Sequence, residues 1–293
     1  MESKIPEIIK KEFNTHAQEI KRISDGYSHH MYEVTIDKSP HHLIIRFSNN
    51  TKTSVNLGKE KYVIDLLRKN KIPAPKIYAF HHPKEKKEEG YMILEKLSGI
   101  RLDTIWNSLS NKEKIQITGE MGKLLKRIHA IKLDHFGSIL EDGVIDADQP
   151  FKFRKMGEHQ LPFNKFIRQW LKSHSEDIAR LTSYDHISKT FMAKYFANVM
   201  KNIDVIRYEG DPVLIHGDFI LGHLFVEKTK EKYYIVGVID FEFATAFAPE
   251  YDFIKLHRAG FFDDAELKQA LKEAYGHIND QAVKIHRLTR DLG

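Results

Sequence analysis

The chain has 293 residues and no cysteine, which excludes disulfide scaffolds, thiolate zinc sites, iron–sulfur clusters and cysteine nucleophiles. Hydrophobic residues make up 41%, an ordinary globular share. No window reaches the ~20 apolar residues of a membrane span, and Met1 to Phe13 lacks a signal-peptide core, so a cytoplasmic protein with no membrane contact is expected. The net charge of +5 lies wholly in residues 1–100, which hold 18 Lys and Arg against 13 Asp and Glu, scattered or in the mixed-sign run Lys84 to Glu89, so no nucleic-acid partner is expected.

A first helix precedes the short segment Asp25-Gly26-Tyr27-Ser28. After it, Met31 to Ile36 and Leu43 to Phe47 flank the turn residues Asp37-Lys38-Ser39-Pro40, which predicts an antiparallel hairpin. Val63, Leu66 and Leu67 keep helical spacing and predict a helix near Leu57 to Lys69, ended before Pro73 and Pro75. Tyr91 to Glu95 reads as a short buried strand, and Ser98-Gly99 as a change of direction. Beyond it the pattern turns helical: Met121, Leu124, Leu125 and Ile128, and later Leu267, Ala270, Leu271 and Ala274, each mark one buried face. Between them lie three β segments, Val213 to Ile215, Leu224 to Val226 and Tyr234 to Phe241, the last two separated by polar Lys228 to Glu231. The expected fold class is α+β. Residues 1–97 would form a small antiparallel-sheet lobe that binds nucleotide. Residues 98–293 would form a larger helical lobe that carries a small hairpin, the catalytic residues and the substrate site.

Two segments concentrate the chemistry, Ile215-His216-Gly217-Asp218 with its continuation to Phe225, and Val238-Ile239-Asp240-Phe241-Glu242. Each sets a carboxylate at the edge of an apolar strand, where an unpaired charge is costly unless a metal or a proton-transfer partner compensates it. Asp218, then His223 five residues later, then Asp240 beyond a hairpin follow the order of a phosphotransferase site: a base, a metal ligand, a second metal ligand. Asp218 would take the proton of an acceptor hydroxyl, while Mg²⁺ on His223 and Asp240 would neutralise nucleotide phosphates. Arg46 is an odd charge in an apolar strand unless its head meets an anion, and Glu60 on the following helix could hold it. Ser28, or backbone N–H groups around it, could cover phosphates.

The ordered set of segments resembles the aminoglycoside phosphotransferase and choline-kinase-like family, over nearly the whole chain. It comprises Asp25 to Ser28, Leu43-Ile44-Ile45-Arg46, Gly58-Lys59-Glu60, Ile72-Pro73-Ala74-Pro75-Lys76, Tyr91 to Gly99, Leu125 to His129, Phe136-Gly137, His216-Gly217-Asp218, Ile239-Asp240-Phe241 and Pro249-Glu250-Tyr251-Asp252. The resemblance implies a two-lobed protein-kinase-like fold and transfer of a phosphate from ATP or GTP to a small-molecule hydroxyl. It implies Asp218 as catalytic base, His223 and Asp240 as metal ligands, and Asp252 as a buried brace for the catalytic loop. It also implies a hinge in which the backbone of Leu94 and Lys96 meets the base edge, with Ile93 behind the base. Most of the family has asparagine at the position of His223 and commonly lysine at that of Arg46. Histidine there resembles the aminoglycoside 2''- and macrolide 2'-phosphotransferases, and an imidazole ligand suits Mn²⁺ as well as Mg²⁺. Arginine keeps the cation and a fork that fits phosphate.

Other readings stand beside this one. His216, Asp218 and His223 could form a hydrolase metal cluster, and a kinase-fold module could hold nucleotide without transferring phosphate. The pairs His29-His30, His41-His42 and His81-His82 read as solvated imidazoles, and Trp106, Trp170, Phe261 and Phe262 as core. Glu242 could be a partner of the metal site or of a salt bridge. An aminoglycoside-type antibiotic is the first acceptor, with a macrolide or a small metabolite such as an amino alcohol or sugar as alternatives. The even charge of residues 101–293, 28 of each sign, argues against a strongly anionic floor for a polycation. Nothing in the sequence requires a partner chain, so a monomer or weak dimer is expected.

Overall fold

The computed structural model describes residues 1–23, 29–48, 57–82, 90–140, 142–143, 145–146, 168, 194, 197–206 and 208–290. Two compact units divide the chain: Met1–Asn107, Leu140–Gly143 and Leu221–Glu242 form the first, and Ser108–Ile139, Val144–Ile220 and Phe243–Gly293 the second. A single cut after residue 97 misses this interleaving, because the hairpin expected in the helical lobe clusters with the first unit.

The first unit opens with helix α1 (Ile5–Phe13), which has proline in its first turn and ends at Asn14 in the left-handed region. Ile5 and Ile9, one turn apart, are its buried contacts. Strands β1 (Ala17–Ile23), β2 (His29–Ile36) and β3 (His42–Ser48) follow, then helix α2 (Leu57–Lys69) and strands β4 (Ile77–His81) and β5 (Tyr91–Glu95). They make one five-stranded sheet in the order β1-β2-β3-β5-β4, every neighbouring pair antiparallel. Alternate residues Tyr32, Val34 and Ile36, Leu43, Ile45 and Phe47, and Tyr91 and Ile93 join Ile5 and Ile9 in one apolar cluster. Period-two alternation therefore sends Arg46 and Met92, directly opposite each other in the register, to the other face. The hairpin, α2 and β5 lie where the sequence places them. Strands β1 and β4 are edge strands with no fully buried residue, so their sequences carry no alternating apolar signal.

Strand β6 (Ile100–Arg101) and the single-turn helix α3 (Leu102–Ile105) close this stretch. In the second unit, helix α4 (Asn111–Ile128) starts with a full capping box between Ser110 and Glu113 and buries the expected Met121, Leu124, Leu125 and Ile128. Strands β7 (Gly137–Ile139), β8 (Ile145–Asp146) and β9 (Val213–Ile215) come next. Strands β10 (Leu224–Thr229) and β11 (Lys232–Val238) form the hairpin of the first unit, with β6 paired to β10. Strand β12 (Thr245–Phe247) completes a second-unit sheet in the order β8-β7-β12-β9.

Helices α5 (Phe253–Arg258), α6 (Ala265–Tyr275) and α7 (Asp280–Arg290) end the chain. Of the four apolar positions expected to be buried on α6, Leu271 alone is fully so. A Cβ on Gly122 of α4 would stand 2.9 Å from the Leu271 carbonyl oxygen, so glycine permits that close approach of the two helices. Phe261 and Phe262 are buried as expected, while Trp170 lies outside the described residues. Among the described residues no helix is long and apolar enough to cross a membrane.

His286 of α7 is buried against the rings of Phe247 and Tyr251, and burial pushes its imidazole down to about 3. Below its ordinary value near 6.5 the unfolded chain takes up a proton that the native state refuses, so stability falls as pH falls from about 6.5 towards 3. The slope is at most about 1.4 kcal/mol per pH unit for one proton. Thermal unfolding measured from pH 7 to pH 5 should therefore lose stability more steeply in the wild type than in His286→Phe; equal slopes would contradict the assignment.

Candidate active site

In the first unit, β3 carries Arg46 onto the α2 face of the sheet, and the first turn of α2 carries Glu60 to meet it. Their side chains are 8% and 1% exposed, and Arg46 donates through Nη1 to Glu60 Oε1. Burial pushes the Glu60 carboxyl up, the Arg46 guanidinium opposes that rise, and Asp240 and Glu242 add to it. Beyond Arg46 the ionic chain continues: Nη2 lies 3.7 Å from Asp240 Oδ1, and Asp240 Oδ2 lies 3.2 Å from His223 Nε2.

The hairpin brings those last two together. Strand β10 begins directly after the 3₁₀ turn Leu221–His223. Strand β11 returns antiparallel, and the Ile239 N–H donates to the His223 carbonyl at 3.0 Å. The strand expected through Phe241 ends at Val238, and Asp240 takes φ 69°, a left-handed conformation that aspartate tolerates better than most residues. Lys59 Nζ donates to the Glu242 carbonyl at 3.0 Å, which ties the start of α2 to this bend.

Three atoms of the cluster, Arg46 Nε, Glu60 Oε2 and Asp240 Oδ1, are buried with no hydrogen-bond partner among the described residues. Buried polar atoms are nearly always satisfied, so three in one cluster mark a place built to meet further polar groups. A carboxylate oxygen and an imidazole nitrogen 3.2 Å apart are a donor pair that suits Mg²⁺ or Mn²⁺, and a guanidinium beside them suits phosphate. The residues present therefore fit a metal-bound nucleotide.

The expected hinge residues separate. Leu94 shares the sheet face of Arg46 and Met92, whereas Ile93 points into the α1 cluster on the opposite face. Met92 is therefore the residue beside Arg46, a consequence of register that spacing alone did not reveal. Lys96 lies past the end of β5, and its ammonium pairs with Glu33. Ser28 lies outside the described residues.

In the second unit, the wholly buried strand β9 leads into His216, Gly217 and Asp218. Gly217 has φ 80°, and a Cβ there would lie 2.2 Å from the Phe243 carbonyl oxygen, so only glycine passes. Asp252, 1% exposed, accepts the N–H groups of His216 and Gly217 at 2.7 Å each. His129 Nε2 lies 3.0 Å from the same carboxylate, and His129 Nδ1 lies 2.9 Å from Tyr275 Oη.

The Asp252 carboxylate can only accept, so His129 Nε2 carries the proton donated to it, and burial pushes the Tyr275 phenol well up, so its hydroxyl keeps its proton beside Nδ1. Asp252 is thus a brace for the loop, as the resemblance implies, and His129 and Tyr275 are the brace's own supports. The buried His216 ring accepts the Asp218 N–H at Nδ1, 3.3 Å away, so it serves the loop backbone. Asp218 itself pairs with Lys255 Nζ at 2.8 Å. The sequence carries only an indirect sign of this pairing, in that Lys255 stands three residues after Asp252, the spacing of one helix face.

A model of the phosphotransferase enzyme family (APH) matches residues 19–286 of the chain. Wild-type aminoglycoside 2'-phosphotransferase-IIIa, solved with GDP, is similar at 13% identity with a TM-score of 0.71, over 99% of this chain and 89% of that one. The GDP and kanamycin complex of APH(2")-IIIa gives 14% identity and a TM-score of 0.68, over 98% and 88%. A putative fructosamine-3-kinase from Haemophilus somnus 129PT gives 11% identity and 0.60, over 98% and 86%. These likenesses show a kinase-like fold. No curated protein matches the chain.

Replacing Asp252 with asparagine leaves a single accepting oxygen for the three donors and removes the charge that the two short N–H bonds favour. Asp252→Asn should therefore lose about 2–3 kcal/mol of stability, read as a lowered midpoint in urea. An unchanged midpoint would contradict the bracing role.

Proposed function

The chain belongs to the phosphotransferase enzyme family, and from that premise we propose that it is a small-molecule kinase transferring the γ-phosphate of ATP or GTP to an alcohol. The observation that carries this reading is the ionic chain Glu60–Arg46–Asp240–His223, buried at its Glu60–Arg46 end, with its three unsatisfied polar atoms. Arg46, held by Glu60, would bind phosphate oxygens as a fork. His223 Nε2 and Asp240 would hold Mg²⁺ or Mn²⁺, which supplies charge neutralisation on the nucleotide phosphates. Leu94 and the chain at Lys96 would meet the nucleobase edge. The role expected of Ile93 passes to Met92, which shares the face of Arg46. Segment 25–28, with Ser28, would cover the phosphates.

Asp218 is the proposed base. The acceptor hydroxyl attacks phosphorus, the bond from phosphorus to the β–γ bridging oxygen breaks, and the hydroxyl proton passes to the Asp218 carboxylate, leaving a phosphate monoester and a nucleoside diphosphate. The rigid loop supports this role, because a base must be held within hydrogen-bond reach of the proton it takes.

An aminoglycoside-type antibiotic is the first acceptor proposed, consistent with the relatives solved with GDP and with kanamycin. Macrolides, amino alcohols and sugars form the second reading, and among these the cation beside Asp218 favours the neutral sugars. A coupled nucleotide-consumption screen with ATP and GTP against aminoglycosides, macrolides, choline, homoserine and sugars tests the proposal. Asp218→Asn should lower turnover by about 10²-fold or more while nucleotide affinity stays nearly intact. Nucleotide-dependent stabilisation without transfer to any acceptor would instead establish a binding module.

A further inference from the structure

Lys255 has no part in the phosphate chemistry described above, yet its ammonium lies 2.8 Å from the carboxylate of the proposed base. Its position is set by the same turn that holds the loop. Asp252 ends a 3₁₀ turn and immediately precedes α5, so Lys255 emerges one helical step further along the same face. The backbone of the loop and the charge of its carboxylate are therefore fixed from one short element. The side chains of Lys255 and Asp218 are 27% and 16% exposed, so water only partly screens the pair.

A bare carboxylate at an acceptor site attracts ammonium groups, and a polycationic acceptor gains affinity from it. With Lys255 in place that attraction is cancelled, and a second ammonium brought beside Asp218 meets a like charge. We propose that Lys255 is a specificity-determining residue. By neutralising Asp218 it makes the site favour a reacting hydroxyl with no ammonium beside it, such as that of a neutral sugar ring, which selects the sugar of the second acceptor reading over the aminoglycoside of the first. The proposal rests on Asp218 being the acceptor's base, but it is read by binding alone.

Kanamycin, a polycationic trisaccharide-like probe, and maltotriose, a neutral one of similar size, are titrated calorimetrically into wild type, Lys255→Met and Lys255→Arg. Lys255→Met should bind kanamycin at least about tenfold more tightly than wild type, with maltotriose changed less than twofold and Lys255→Arg behaving as wild type. Adding Asp218→Asn to Lys255→Met should abolish the gain. Kanamycin affinity that does not rise in Lys255→Met, including binding too weak to measure in both proteins, overturns the proposal. So does a gain that survives loss of the carboxylate. Lys255→Gln serves if Lys255→Met fails to fold, with nucleotide-dependent stabilisation as the check of integrity. Absence of phosphate transfer by the wild type would bear on the proposed reaction alone, because these titrations need no turnover.

Discussion

A guanidinium withdrawn from water on a sheet face is the constraint from which the first unit's chemistry follows. Desolvating Arg46 and Glu60 costs several kcal/mol per ion, and the pairing of such groups commonly no more than offsets that cost. Apolar side chains could fill the same space without it. Two buried charges in otherwise apolar surroundings, continued by Asp240 and His223, therefore make better sense as a prepared binding surface than as a source of stability. The sheet supplies the rigidity: β3 is hydrogen-bonded on both sides, and Lys59 fastens α2 to the bend after Asp240.

The second unit solves a different problem, holding the largely buried loop after β9 still without regular secondary structure. Asp252 satisfies two consecutive backbone N–H groups, and the tautomer chain Tyr275–His129–Asp252 fixes the orientation of the carboxylate. Gly217 then lets the loop backbone pass the Phe243 carbonyl. Catalytic precision on loops generally depends on such secondary support. Here it comes from the end of α4, far back in the sequence, together with α6 and the turn before α5.

Much of this architecture was legible beforehand where the physical signal was local. Helical spacing located α2 and the buried face of α4, and turn chemistry located the β2–β3 hairpin. The charges at Arg46, Asp218 and Asp240 stood out because they interrupt apolar runs. What escaped depended on pairing between distant segments. The edge strands β1 and β4 bury too little to show a pattern. The β10–β11 hairpin belongs to the first unit, where the two-residue β6 pairs with it. The face of Ile93 is set by the register of β5 against β3, and the Lys255–Asp218 pair by the packing of α5 against the loop after β9.

The most direct test of the central claim concerns the imidazole of His223 as a ligand of the nucleotide-bound metal. Mn²⁺ is added to the protein with ATP or GTP, and electron spin-echo envelope modulation is recorded for the wild type and for His223→Asn. The account predicts nitrogen modulation characteristic of a coordinated imidazole in the wild type and its loss in the variant. A wild-type spectrum without imidazole modulation, or one unchanged in His223→Asn, would contradict it.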